Sequence, residues 1–235
     1  MSRVSHEQAE FDRLHFPDGR TLRNKLGISD FKALEASERS LAERRAMQGL
    51  PDSARELSYD GYKSIHRHLF QDIYSWAGEE RTYTSRKGET TFTRAKMIPS
   101  YMEGIFKELK KENYLEGLSK DKFAERAAYY VNNINAGHPF NDGNGRTQRT
   151  WLRQLADRAG YELKLGSCDK NEWHSASIVG FHQSDKPMAD LIVANLRERV
   201  KSQSQEKTSL QRKAARAAKN YREQAEPDKN PERER

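Results

Sequence analysis

The sequence predicts an all-α protein that carries one small β-hairpin. Apolar residues recur at three- and four-residue spacing through most of the chain. Helix caps and glycine stops bracket these stretches. Only from Glu80 to Phe92 does the pattern change, to β-branched and aromatic residues around a glycine turn.

Residues 1–20 read as a loosely ordered lead-in ending in the turn Pro17-Asp-Gly19. Ser29 and Asp30 offer caps for a helix through about Gln48, with Phe31, Leu34 and Leu41 on its apolar side and Gly49-Leu-Pro51 ending it. A second helix is expected from Ser58 to Ser75, with Tyr62, Ile65, Leu69, Phe70 and Ile73 at helical spacing. His66 and His68 in it read as packing or surface residues, since no cysteine or carboxylate stands at metal-ligand spacing from them. The hairpin that follows is marginal alone and must rest on the helices. A helix from Ile98 to Lys111 turns Ile105 and Leu109 inward.

Ser119 caps a helix over Asp121–Ala136 whose Phe123, Ala127, Tyr130, Val131 and Ile134 form one stripe, which argues for central burial. Gly137 is expected to stop it. A second central helix starts near Gly145, turns Trp151, Leu152, Leu155 and Ala159 inward, and closes at Gly160. Asp169 with Glu172 opens a helix carrying Trp173, Ala176 and Val179. Asp185-Lys-Pro187 starts the last core helix, with Met188, Leu191, Ile192 and Leu196 on one face. Beyond Lys201 the stripe is mostly alanine and buries little, so a frayed helix to about Glu226 and then disorder are expected.

Composition narrows the function. Of 235 residues, 34% are hydrophobic and 33% charged, so the core must be economical. The net charge is +7, but from Lys201 onward ten Lys/Arg face six Asp/Glu, so most of the excess lies in the tail. Mixed-sign charge with one aromatic, Tyr221, lacks the stacking platform of a nucleic-acid-binding segment. The single cysteine, Cys168, excludes an intrachain disulfide. No apolar run reaches the length of a membrane span, and Met1–Phe11 lacks the pattern of a cleavable signal peptide. A reducing cytosol is the expected place of synthesis.

The chemistry concentrates between His138 and Arg149. Gly143 and Gly145 permit unusual dihedrals and close backbone approach, and the start of a helix adds unpaired N–H groups and positive potential. That combination suits phosphate. Asp142 supplies one oxygen ligand, and magnesium needs only one or two carboxylates when phosphate oxygens and water complete its shell. Arg146 and Arg149 are three apart, share a helix face, and can present planar charged forks to one polyphosphate. His138, four residues before Asp142, can accept a proton near neutral pH. Phe140 reads as an anchor for the loop rather than a ligand contact. Spacing alone leaves open which phosphate is attacked.

These twelve residues resemble the Fic family motif, His-x-Phe-x-Asp/Glu-Gly-Asn-Gly-Arg-x-x-Arg, at all eight specified positions. The run from His66 through Trp76, Gly78 and Arg81 to Lys87, Gly88 and Phe92 is similar to the helix and flap upstream of that motif. The resemblance spans about residues 21–200 and implies a Fic-type helical bundle with the flap over an active site, residues 201–235 being a basic tail. It further implies a protein adenylyltransferase that moves AMP from ATP to a hydroxyl of a target protein, with Mg2+ at Asp142 and His138 as catalytic base. Nucleotide contacts are then expected from Asn141, Gly143, Asn144, Gly145, Arg146, Arg149, Lys87 and Gly88. Target docking is expected along the flap residues Arg81, Thr82, Tyr83, Thr84, Ser85 and Arg86, by strand addition. Gly143-Asn144-Gly145 resembles the AMP-transferring branch; the phosphate-transferring branch carries Ala-Asn-Lys there. The metal position holds Asp where many AMP-transferring members have Glu.

Many Fic proteins are silenced by a Ser/Thr-x-x-x-Glu-Gly/Asn helix whose Glu pairs with the second motif arginine, here Arg149. Ser202-Gln-Ser-Gln-Glu206 fits except that Lys207 follows. The resemblance therefore favours a small separate antitoxin protein that brings the glutamate in trans, and a chain that acts in the cytoplasm or is delivered into a host cell as an effector. Competing readings are transfer of phosphate or another nucleotide, a basic nucleic-acid-binding protein, and a silent scaffold that binds partners through the flap.

Overall fold

The computed structural model of the chain describes residues 5–165 and 170–199. Cys168, Asp169, the Ser202–Lys207 segment and the rest of the tail lie outside the described residues. Eight helices are present among those described: α1 (His6–Leu14), α2 (Phe31–Met47), α3 (Tyr59–Phe70), α4 (Ile98–Lys111), α5 (Lys120–Gly137), α6 (Asn144–Ala159), α7 (Lys170–His182) and α8 (Lys186–Asn195). Two antiparallel strand pairs accompany them, β1 (Arg86–Lys87) with β2 (Thr90–Thr91) and β3 (Tyr161–Leu163) with β4 (Leu196–Glu198).

α5 is the hub, packing against α4, α6, α7 and α8. Its stripe explains this: Phe123, Ala127, Tyr130, Val131 and Ile134 are all buried, and Ala124 and Ala128 add a second buried row. The Ser119 hydroxyl accepts from the Lys122 N–H and starts the helix as its sequence suggests. α6 packs on the same core, with Trp151, Leu152 and Leu155 buried and Gly160 in a left-handed cap. An aromatic cluster joins the layers. Tyr62 of α3 stacks on Phe140 at 5.7 Å and meets the edge of Trp151 at 6.3 Å, while Phe106 of α4 meets Trp151 at 5.8 Å.

Several boundaries differ from the sequence reading. α3 stops at Phe70, and the next turn carries Ile73 and Tyr74 into the core. The lead-in holds α1, capped by Ser5 onto Gln8 N–H and anchored by buried Leu14. The turn at Pro17–Gly19 is present, with Asp18 accepting from Thr21 N–H at 2.9 Å. Asp185 begins α8 but does not cap it; its carboxylate accepts instead from Asn132 Nδ2 of α5 at 2.7 Å. The hairpin is confined to two residues per strand, well short of the Glu80–Phe92 span.

Candidate active site at the α5–α6 junction

Gly137 does not stop α5; the helix runs through it, and the left-handed cap is His138 itself, at φ 42° and ψ 59°. A left-handed conformation is costly for a side-chain-bearing residue and persists only where neighbours enforce it. They do so here. The His138 N–H donates to Ile134 O at 3.0 Å, and its ring stacks on Phe92 at 3.8 Å. Gly137 is needed for packing, since a Cβ there would lie 2.4 Å from Met102 Sδ of α4. His138 keeps partial exposure on the cavity wall, while Nδ1 is sealed and lacks a hydrogen bond of good geometry. Burial pushes the imidazole down to about 3, the nearby Arg81 and Lys87 charges add to that, and the Asn135 carbonyl pulls weakly the other way. The ring is therefore neutral at physiological pH.

From His138 the chain turns through a loop braced at almost every residue. Phe140 is fully buried, as its anchoring role requires. Asn144 bonds Phe140 at both ends: its Oδ1 accepts from Phe140 N–H at 3.0 Å and its Nδ2 donates to Phe140 O at 2.8 Å. The expectation that the Asn144 side chain touches nucleotide is corrected by this geometry; it is buried and both polar ends are committed to the loop. Gly143 has φ 77°, and a Cβ there would lie 2.4 Å from the Phe70 ring. The Asp142 carbonyl accepts from His66 Nε2 at 3.0 Å, and Gly78 N–H donates to His66 Nδ1 at 2.9 Å. These partners fix the proton on Nε2. His66 is thus a buried brace, stacked on Phe140 at 3.8 Å, with burial pushing it down to about 3. His68 likewise contacts the Arg45 carbonyl.

α6 opens at Asn144, so its first-turn N–H groups point out of the helix start into the space beside His138. A cavity of about 1350 Å³ occupies that space. His138, Asn141, Asp142, Gly143, Gly145 and Arg146 line it, as do Arg149 and Lys87. Asn144 also reaches its wall. Asp142 is exposed to the cavity, and the Asn141 Oδ1 is buried without a partner. Arg149 lies over the Trp173 ring of α7 at 5.8 Å. Lys87 Nζ meets His174 Nε2 at 3.0 Å, which ties the flap to α7, and Gly88 forms the tip of the hairpin at φ 56°. Among the described residues no three His, Cys, Asp or Glu side chains cluster as a metal site. A single exposed carboxylate beside phosphate-binding groups still fits magnesium.

Two residues that sequence reasoning passed over stand at this site. Glu38 of α2 is buried and pairs with Arg146 Nη2. Its other oxygen accepts from the Tyr74 hydroxyl. Burial and the Asp142 charge push the Glu38 carboxyl up, against the opposing pull of Arg146 and Tyr74. Leu34, Glu38 and Ala42 share one buried face at four-residue spacing. A glutamate in that row was the available signal.

The flap departs most from expectation. Arg81, assigned to target docking, is buried and donates to four carbonyls: His138 O at 2.7 Å, Tyr83 O at 2.7 Å, Gly137 O at 3.3 Å and Thr93 O. Its backbone N–H donates to Pro139 O. It clamps the loop that follows α5, and its side chain is not exposed for docking. Thr82 and Thr84 donate to Glu10 and Glu7 of α1, and the Tyr83 ring packs edge-on to Phe11 at 5.4 Å. Those three residues therefore face α1. Ser85 closes the hairpin by accepting from Phe92 N–H at 3.1 Å, and Arg86 is the one expected docking residue that lies in a strand.

A helical bundle that aims an imidazole, a carboxylate and two arginines at one helix start is built to receive a phosphorylated ligand. A sequence profile described as the Fic/DOC family matches residues 56–156. Protein adenylyltransferase VbhT of Bartonella schoenbuchensis is 37% identical over 183 residues, which cover 77% of this chain and 38% of that protein. The probable protein adenylyltransferase y4lH of Sinorhizobium fredii is 37% identical over 179 residues, covering 76% of this chain and 92% of that one. Among solved structures, the BepC protein of Bartonella tribocorum with bound AMPPNP matches at a TM-score of 0.76 and 26% identity, covering 83% of this chain and all of that one. The chain belongs to the Fic/DOC family. No helix among the described residues is long and apolar enough to cross a membrane.

Proposed function

We propose that this chain is a protein adenylyltransferase that transfers AMP from ATP to a hydroxyl of a target protein. The observation that carries the reading is the left-handed His138, held neutral on the wall of a cavity that also receives the α6 start, Asp142 and Arg146. In the proposed step the target oxygen forms a bond to the α-phosphorus and its proton passes to His138. The bond between the α-phosphorus and its bridging oxygen breaks, and pyrophosphate leaves. The Gly143–Gly145 backbone, Arg146 and Arg149 hold the phosphates, and Asn141 lines the same wall. Magnesium held by Asp142 would offset phosphate charge when bound. Negative charge brought in by the nucleotide raises the His138 pKa toward the range where it can take a proton. The names of VbhT, a protein adenylyltransferase, and y4lH, a probable one, support this choice over γ-phosphate transfer, and the AMPPNP bound to BepC supports a nucleotide as the ligand.

Incubation with α-labelled and γ-labelled ATP tests it. Label is expected from the α position only, and His138→Ala should reduce it about 10²–10⁴-fold in protein that still melts cooperatively. Transfer of the γ label would overturn adenylylation in favour of phosphotransfer.

The wider division extends this proposal: a lead-in over 1–20, a Fic domain over 21–200 and a tail over 201–235. Restraint by a small antitoxin protein extends it further. The cavity continues past the phosphate site along α2, bordered by Leu34, Glu35, Arg39, Ala42 and Glu43. That is more room than a nucleotide fills, and it suits an added inhibitory segment. Removing residues after Val200 should leave automodification unchanged; a large rise would place the inhibitor in the tail instead. Cytoplasmic action and delivery as an effector both accord with the proposal, and the solved BepC is described as a translocated effector.

A further inference from the structure

Glu38 is a carboxylate in a row of α2 that is otherwise apolar. It lies in the buried row of α2 between Leu34 and Ala42. Burying a carboxylate is costly even when it is paired, and apolar replacements of buried ion pairs are often neutral or stabilising. The carboxylate here is also restrained from both sides. Tyr74, itself buried and stacked on Trp76 at 4.2 Å, donates its hydroxyl to one oxygen. The other oxygen takes Arg146 Nη2. Arg146 in turn rests over the Phe70 face at 4.6 Å, and the same Nη2 stands 3.9 Å from Asp142. One nitrogen of the guanidinium is thus fixed between two carboxylates and a ring.

We propose that Glu38, locked by Tyr74, is a positioning residue that aims the Arg146 guanidinium at the nucleotide phosphates. A guanidinium carries five N–H donors in a rigid plane. Anchoring one nitrogen sets the plane and leaves the remaining donors for phosphate. Without the anchor the side chain is free to swing, or to pair with Asp142 alone and compete with the metal ligand. Glu38 touches no reacting atom and acts only through Arg146. The inference rests on the adenylyl-transfer reading for its reaction, but not for its binding readout.

The test compares full-length wild type with Glu38→Gln, Glu38→Leu, Tyr74→Phe, Arg146→Ala and the double variant Glu38→Gln/Arg146→Ala. Affinity for Mg2+·AMPPNP is read by calorimetry, turnover by α-label transfer and folding by thermal melting. Glu38→Leu, which leaves Arg146 and the Tyr74 hydroxyl without their acceptor, should melt below wild type and lose kcat/KM by about tenfold to a hundredfold. Glu38→Gln, which keeps the shape, should lose less, and Tyr74→Phe should fall in the same direction. In the Arg146→Ala background Glu38→Gln should change AMPPNP affinity by less than about twofold. Wild-type kinetics in Glu38→Leu would overturn the proposal. So would tighter binding with faster turnover in Glu38→Gln, which would make the contact a brake, or an undiminished loss in the double variant. Wild type that binds AMPPNP but transfers no α label would sink adenylylation alone, because the affinity comparison still decides the role of Glu38.

Discussion

The loop from His138 to Arg146 and the flap residues Arg86 and Lys87 line one cavity, yet loop and flap are built on opposite principles. The loop has few degrees of freedom left. Phe140 is fully buried, Asn144 and Arg81 each make two bonds to the loop backbone, and His66, itself held by Gly78 N–H, makes one more. The flap is a pair of two-residue strands, tied down by single side-chain contacts to α1 and α7 that lie at the surface. Chemistry needs fixed geometry, since small displacements of reacting groups are costly. Docking an extended segment needs an accessible edge whose position can adjust. Under the proposed function, the two tasks would fall to two mechanical regimes.

Arg81 is where the comparison can be broken hardest, because it starts the flap but serves the loop. Removing its side chain as Arg81→Ala would leave four carbonyls without their donor. Unsatisfied buried groups cost about 1–3 kcal/mol each when they find no water, so a total loss of about 3–5 kcal/mol is expected after relaxation. Burial lowers the guanidinium to about 10, so it remains charged at neutral pH. Arg81→Lys should recover part of the stability but little activity, because one ammonium cannot span the His138, Thr93 and Tyr83 carbonyls. Chemical denaturation with parallel label transfer reads both. A near-wild-type stability for Arg81→Ala would return Arg81 to the docking surface.

This residue also marks how far the sequence could be read. α4, α5 and α6 were legible because their signals are local: a stripe, a Ser119 cap, a Gly160 terminus. The cavity-lining residues were legible because the motif compresses them into twelve positions. Arg81, Asn144 and Glu38 were misread or missed for one reason. Each is polar, and polar side chains in an expected site suggest ligand contact, whereas their partners are backbone groups or a side chain 108 positions away. α1 was missed because its packing depends on Tyr83, and the β3–β4 pair because three residues at Tyr161 find their register only against Leu196–Glu198. No local pattern encodes such distant partners.

A smaller effect separates the rigid region by pH. His66 and His138 are both depressed from 6.5 to about 3 by burial. Between those values the unfolded chain binds more protons than the folded one. Stability is therefore complete above about pH 6.5 and falls as the pH drops toward 3. Each histidine contributes a slope of up to about 1.4 kcal/mol per pH unit, and carboxylates join in below about pH 5. His66→Gln should roughly halve the slope between pH 6 and 5 in urea titrations. An unchanged slope would mean that His66 is protonated in the folded protein and that its bond from Gly78 is wrong.

The smallest expected effect lies on the flap. Glu7 and Glu10 hold Thr84 and Thr82 through hydrogen bonds that are open to water, and Glu10 is also paired with Arg13 at 2.9 Å. Such contacts contribute little to global stability because water replaces them readily. They do restrict the local opening of a hairpin that has only two residues per strand. Glu7→Gln/Glu10→Gln should leave the melting temperature within about a degree while speeding amide exchange at Arg86–Thr91 a few-fold. Exchange across His138–Arg146 should not change, because that loop takes its bonds from α3, Arg81 and its own Asn144. Equal acceleration in both regions would show that flap and loop open as one unit, and the mechanical separation drawn between them would fail.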